Sequence, residues 1–272
     1  MRISGLFVVG ILAVASTTTR GDDPGSTIDL SSFSALPLGD DAEPLPIEAV
    51  AYDSPTSSLR FYLTGIAGAS FGTINADGNI PYADTALQTI GSVNETLFNG
   101  GGAIGLALAR PSGLLRVEVE GRARGPMNGQ TTLEFGGLQV EQLDVNATDG
   151  WSAMTNFWRD YFFTNRLGVY GGGGFGVGGY QCSMQGAEGI PLRGSSTVNT
   201  FAWQVGTGIT YQLSDRITLD TGYRFFAMAP GSTPLGISDS GFSIPLGSFT
   251  SAFSASELLI SIRIYEPFRS WR

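Results

Sequence analysis

From Leu59 onward, apolar and polar residues alternate with a period of two. Leu59, Phe61, Leu63, Ala67, Ala69 and Phe71 share one parity, and Arg60, Tyr62, Thr64 and Ser70 share the other. Successive side chains of a pleated strand point to opposite faces, so the pattern predicts a strand with one greasy and one polar face. Leu114–Arg124 is the cleanest case. Leu115, Val117, Val119 and Ala123 face one way, and Arg116, Glu118, Glu120, Arg122 and Arg124 the other. On a helix these charges would spread around the cylinder; on a strand they form one row. Six further segments fit the same template: Phe98–Ala109, Trp151–Tyr161, Leu167–Tyr180, Phe201–Leu213, Ile217–Phe225 and the run Leu258, Ile260, Ile262, Ile264. Trp151–Tyr161 fits least well, being aromatic on both faces.

The connections alternate in length. Pro111-Ser112-Gly113, Phe162–Arg166 and Ser214-Asp215-Arg216 read as tight turns, and the polar stretches 74–97, 125–150, 181–200 and 228–253 read as long loops. Short turns on one side and long loops on the other are the layout of bacterial outer-membrane barrels. The prediction is therefore all-β: an eight-stranded antiparallel up-and-down transmembrane β-barrel, with the short turns and both ends of the barrel on the periplasmic side. A soluble up-and-down barrel or sandwich also alternates, but it puts apolar residues inside and polar residues outside. Here the polar faces carry charge rows and glycine, which would make a poor apolar core, and Phe, Trp and Tyr sit toward the strand ends of the apolar faces.

Ahead of the strands the pattern disappears. Residues 16–57 carry Pro24, Pro37, Pro44, Pro46 and Pro55 among Ser, Gly and Asp, and between Gly21 and Leu59 there are eight acids and no base. This reads as an acidic leader without a packed core. Residues 1–15 read as a cleaved signal peptide: Arg2, an apolar Leu6–Val14, and the small-residue site Ala13-Val14-Ala15. The barrel is assigned to 58–272, and the destination is the bacterial outer membrane.

Composition narrows the chemistry. Only 14% of residues are charged, 42% are apolar and 39 are glycine, yet past the N-terminus no window holds the roughly eighteen uninterrupted apolar residues of a spanning helix. The chain has no histidine, and all 15 basic residues are arginine. A Ser-His-Asp triad, a Ser-Lys dyad and a His-ligated zinc are therefore excluded. Glu118 and Glu120, two apart among three arginines, read as a neutralised row rather than a catalytic pair. The run Gly171-Gly172-Gly173-Gly174 lacks the Lys-Ser/Thr of a phosphate loop and reads as strand glycine, letting a large neighbour pack over the backbone. Asn94-x-Thr96 and Asn146-x-Thr148 agree with loop placement, and Cys182, being single, forms no internal disulfide. No stretch has the basic density of a nucleic-acid site.

The run Gly206-x-Gly208-x-x-Tyr211-x-x-Ser214-x-x-Ile217-x-Leu219-Asp220-x-Gly222-Tyr223-Arg224-Phe225 resembles the hairpin joining strands six and seven of the opacity-protein and surface-antigen family, which shares the barrel of the OmpA transmembrane domain. Leu167-x-Val169-Tyr170-x-Gly172-x-Gly174-x-Gly176 is similar to its fifth strand, and Glu257-Leu258-x-Ile260-x-Ile262-Arg263 to its last. The resemblance spans about residues 59–268. Family members usually stop at the final strand's aromatic residue, whereas Arg269-Ser270-Trp271-Arg272 follows Phe268 here.

Ten charges share lumen parity: Arg60, Arg116, Glu118, Glu120, Arg122, Arg124, Asp220, Arg224, Glu257 and Arg263. Eight strands leave a lumen just wide enough for side chains, and unpaired buried charge is costly, so these are expected to form one ion-pair network and to plug the barrel. The expected function is non-enzymatic, structural or surface-interacting through the long exterior loops, with no cofactor. The expected partners are outer-membrane lipid, the barrel-assembly machinery and a surface ligand that the loops do not name. Two alternatives stand beside it: a narrow ion channel through the charged lumen, and a soluble ligand-binding barrel with its faces inverted.

Overall fold

In a computed structural model, residues 59–268 are described except for 83–84, 136–137, 187–191 and 240–241. The acidic leader, the signal sequence and the tail after Phe268 lie outside the described residues.

Eleven antiparallel strands run in chain order: β1 (Leu59–Tyr82), β2 (Thr85–Ile90), β3 (Ser92–Arg110), β4 (Gly113–Arg124), β5 (Met127–Phe135), β6 (Leu138–Phe162), β7 (Leu167–Gly186), β8 (Leu192–Gln212), β9 (Ile217–Met228), β10 (Gly231–Asp239) and β11 (Phe242–Tyr265). They amount to eight staves, because three staves are interrupted. β2 and β3 break only at Gly91, and both pair with β1 in one register, Asn75↔Ser92 and Gly78↔Thr89. β4 and β5 break at Gly125-Pro126 and share a register against β6, Arg124↔Gly150 and Met127↔Ala147. β9 and β10 break at Ala229-Pro230. Proline has no N–H to give a ladder, which is why two of the breaks fall there. At the first, the Gly125 N–H instead donates to the Phe98 carbonyl at 2.9 Å.

Near the short turns the ring runs β1-β3-β4-β6-β7-β8-β9-β11 and closes by β11 pairing with β1. Farther out, β2, β5 and β10 take the places of β3, β4 and β9, and eight strands again close the ring. Closure leaves no open edge.

The staves are far longer than a membrane requires. About 9–11 tilted residues cross the hydrocarbon, whereas β6 has 25 and β11 has 24. At about 3.4 Å per residue β6 is roughly 80 Å long. The four stretches read from sequence as long loops are thus corrected. They are mostly strand, forming an outer collar above the membrane belt.

Belt and collar have opposite polarity. In the belt, Phe98, Ile104, Val119, Phe157, Phe175, Val205, Ile209, Ile260 and Ile262 are exposed on the outside, and Val119 keeps 63% of its surface exposed. In the collar the outside carries Asn128, Asn146, Ser183, Gln185, Ser195, Thr197 and Asn199, all exposed. Its inside is a continuous apolar core that includes Ile74, Leu97, Met127, Leu143, Val145, Met184, Val198, Phe226, Phe249 and Phe253. The collar therefore follows the soluble-barrel rule that the sequence pattern set aside. Three staves change inward parity between the two zones. Even residues face in up to Arg124 and odd ones from Met127; β6 switches between Ala147 and Ser152; and Met228 gives way to Thr233 across Ala229-Pro230. The β6 switch is a bulge, with a register shift between Thr148 and Trp151 and a left-handed Asp149 (φ 53°).

Candidate functional site in the barrel lumen

The belt's interior is polar because its outside must be apolar, and alternation leaves no other place for the charges. Five arginines (Arg116, Arg122, Arg124, Arg224, Arg263) face five carboxylates (Glu118, Glu120, Asp160, Asp220, Glu257), and all ten are buried. Nine of the ten sequence-predicted residues are brought together here. Arg60 is not. It sits at the periplasmic mouth, where its Nη2 donates to the Asp215 carbonyl at 2.6 Å and its guanidinium lies 4.2 Å from the Tyr265 ring centroid. As the second residue of β1 it is too near the mouth to reach a lumen carboxylate.

The inner layer lies nearer the periplasm. Arg263 Nη2 donates to both oxygens of Asp220, at 2.6 and 2.8 Å, and its Nη1 reaches Asp160 Oδ2 at 3.0 Å and the Tyr265 hydroxyl at 2.8 Å. Arg116 holds the other Asp160 oxygen through Nε at 3.0 Å and Nη2 at 2.9 Å. In the outer layer Arg224 Nη1 donates to Glu120 Oε2 at 2.5 Å. Arg122 Nε meets Glu120 Oε1 at 2.6 Å while its Nη1 bonds Glu257. Arg124 Nε and Nη2 both lie 3.0 Å from Glu257 Oε1. Glu118 joins the layers, accepting from the Trp158 indole at 2.7 Å, the Tyr62 hydroxyl at 2.8 Å and Asn156 Nδ2 at 3.2 Å.

Neutral groups fill the gaps. Gln204 accepts from Arg122 Nη2 at 2.6 Å and donates to Asn156 Oδ1 at 2.6 Å; Ser70 donates to Glu257 Oε1 at 3.1 Å and accepts from Asn99 Nδ2 at 2.6 Å. Lumen glycines make room for these long side chains. A Cβ on Gly206 would stand 2.7 Å from Arg224 Cγ, and one on Gly174 would stand 2.0 Å from Asn156 Oδ1. The glycine run on β7 thus has a packing role against β6.

Sequence reasoning missed Asp160, Asn156 and Trp158. All lie on the strand whose two faces are both aromatic. The usable signal was parity: Asp160, Trp158, Asn156, Met154 and Ser152 share one face, and Trp158 points inward as a hydrogen-bond donor.

The chain aligns with outer membrane protein PagN of Salmonella typhimurium at 27% identity over 192 residues, covering 65% of this chain and 78% of PagN. With the closed ring and its apolar belt, that relationship decides the class. The chain is an eight-stranded outer-membrane β-barrel. No family model matches the chain. Solved structures similar to it include OprG of Pseudomonas aeruginosa (13% identity, TM-score 0.40, 74% of this chain and 95% of that one). Another is a major outer membrane protein of Thermus thermophilus (12% identity, TM-score 0.44, 77% of this chain and all of that one). The barrel resembles the opacity-protein type, and its place is the bacterial outer membrane.

Proposed function

We propose that this barrel is a non-enzymatic surface-interaction protein that uses its outer collar as a rigid display stalk. The reversal of polarity between belt and collar carries the reading. A chain selected only to cross the membrane needs no apolar interior above the lipid. A chain that must hold hairpin tips well clear of the membrane needs one, because only a packed core keeps eight strands paired in water. The outward collar side chains include many hydroxyls and amides, Asn128, Asn146, Ser183, Gln185, Ser195, Thr197 and Asn199 among them, which suit hydrogen bonding to polar ligands.

The channel reading has less support. The lumen charges are mutually paired, and the passage above them is occupied by the collar core. No catalytic role is assigned to the carboxylates, since each faces an arginine.

A binding screen tests the proposal, using the refolded barrel against envelope and host-surface components. Its control is a variant in which the β5–β6 hairpin is shortened beyond Leu133 and Glu141. Binding by the parent that disappears in the shortened, still folded variant is the expected result. Binding unaffected by shortening each of the four hairpins in turn would overturn the display role.

A further inference from the structure

The outer wall of the collar carries an open groove of about 410 Å³, formed by β6, β7 and β8. Two register rows cross it. Asp144, Gln185 and Arg193 make one, and Asn146, Ser183 and Ser195 make the other. All six share the outward parity of their strands, and all but the half-buried Asp144 are exposed. Ser183 and Ser195 are short, so their row lies lower than the Gln185–Arg193 row beside it.

Asp144 and Arg193 stand two strand spacings apart, about 10 Å, with Gln185 between them. Neither forms an ion pair among the described residues. Gln130 Nε2 donates to Asp144 Oδ1 at 2.9 Å, which fixes the carboxylate and leaves its second oxygen to accept. The groove thus has an acceptor at one end, a permanent donor at the other, and amides and hydroxyls that do both between them. Asp144 disfavours a simple anion there, and Arg193 a simple cation. A chain of sugar hydroxyls, each able to donate and to accept, suits both ends. An extended peptide is ordinarily recognised by adding a strand to an open edge, and the closed ring has none. The groove also faces sideways. Ser183 lies roughly 20 Å of strand beyond Val177, an exposed apolar residue of the belt on β7. On its other flank β6 runs past Asp144 to Leu138, so the β5–β6 hairpin overtops it. A partner arriving from outside meets that hairpin first, whereas a saccharide standing on the outer leaflet meets the wall.

We infer that this groove binds the saccharide chain of a glycolipid in the outer leaflet of the membrane in which the barrel stands. Sugar hydroxyls donate to Asp144 and accept from Arg193, and Gln185 and Asn146 bond those between. The inference rests on the outer-membrane placement and not on the display role, because the groove is in the collar wall and not at the hairpin tips.

The test is glycolipid retention by the full-length protein in mild detergent, counted by native mass spectrometry. Two probes are compared: lipopolysaccharide carrying its core oligosaccharide, and lipid A without it. Preferential retention of the saccharide-bearing probe is expected, with the released core oligosaccharide competing against it. Asp144→Ala should lower the preference by about tenfold, in line with one charge-assisted hydrogen bond, and Thr250→Asn, on β11 outside the groove, should leave it unchanged. Asp144→Ala also separates hydroxyl recognition from capture of a glycolipid phosphate by Arg193, since removing the carboxylate strengthens phosphate capture. Equal retention of the two probes by the parent protein, or a preference that is unchanged or raised in a folded Asp144→Ala barrel, overturns the site. If that variant fails to fold, Gln185→Ala takes its place, and an unaltered preference there overturns the site as well.

Discussion

Arg263 and Asp160 belong to staves that lie opposite each other in the belt ring, β11 and β6, each four strands from the other in either direction, yet their Nη1 and Oδ2 atoms are 3.0 Å apart. Arg224 on β9 and Glu120 on β4 repeat the relationship at 2.5 Å. Adjacent-strand pairs fix local register; these pairs span the whole diameter and act only once the ring has closed. They tie closure to charge neutrality.

Removing one member should therefore cost more than a surface ion pair. Arg263→Ala leaves Asp160 and Asp220 buried with fewer partners, and a loss of about 3–5 kcal/mol is expected. Guanidinium unfolding in lipid vesicles, followed by tryptophan fluorescence, measures it. The double variant Arg263→Ala/Asp160→Ala should be less destabilised than the sum of the singles, by about 0.5–3 kcal/mol. Strict additivity would mean that the pair carries no coupling across the lumen.

The two zones should answer oppositely to a charge placed outside. Val119→Arg sets a cation against lipid in the belt and should cost about 2–4 kcal/mol near the midplane. Thr197→Arg stands on the wet collar face and should stay within about 0.5 kcal/mol of the parent. Inside the collar the order reverses, because Val198 is core: Val198→Asp should unfold the collar while Val205→Ser in the belt is tolerated. If Val198→Asp proves as mild as Thr197→Arg, the collar has no packed interior.

Cys182 gives a direct probe of that interior. Its thiol is fully buried in the collar, and burial pushes its pKa up, so little thiolate is present near neutrality. Maleimide at neutral pH should leave the folded protein unlabelled and modify it quickly in denaturant. Fast labelling of the native barrel would show that the collar opens on the timescale of the reaction.

The belt was legible in the sequence because lipid outside and charge inside give the strongest possible alternation, as in Arg116–Arg124. The collar was not, for a physical reason. Its outward faces are built from Ser, Thr, Asn and Gln, which are equally common in loops, and its strands are interrupted at Gly91, Gly125-Pro126 and Ala229-Pro230, residues that ordinarily announce turns. The parity change at Gly125-Pro126 and at Ala229-Pro230 also hides the continuity, since Arg124 and Met127 both point inward although they stand three positions apart. Asp160 escaped notice because Phe157 and Tyr161 cover the lipid face while Trp158 occupies the lumen face, so hydrophobicity alone does not tell the faces apart.

The last expectation concerns conduction. Two obstructions lie in series along the axis: the ion-pair layers of the belt, and the apolar collar core around Phe226, Met228 and Phe253. Eight strands leave little free cross-section to begin with. Arg124 links the obstructions, with its guanidinium 3.9 Å from the Phe226 ring centroid and its Nε bonded to Glu257. The unmodified protein should be nearly silent in planar bilayers. Arg224→Ala unbalances the outer ion-pair layer, yet it should open at most a small leak because the collar core still stands in the way. Adding Phe253→Ala should raise conductance beyond either single change. Large, stable, ion-selective currents from the unmodified protein would instead promote the channel reading. If Arg224→Ala alone conducts as well as the double variant, the collar core is no barrier and the belt charges alone close the lumen.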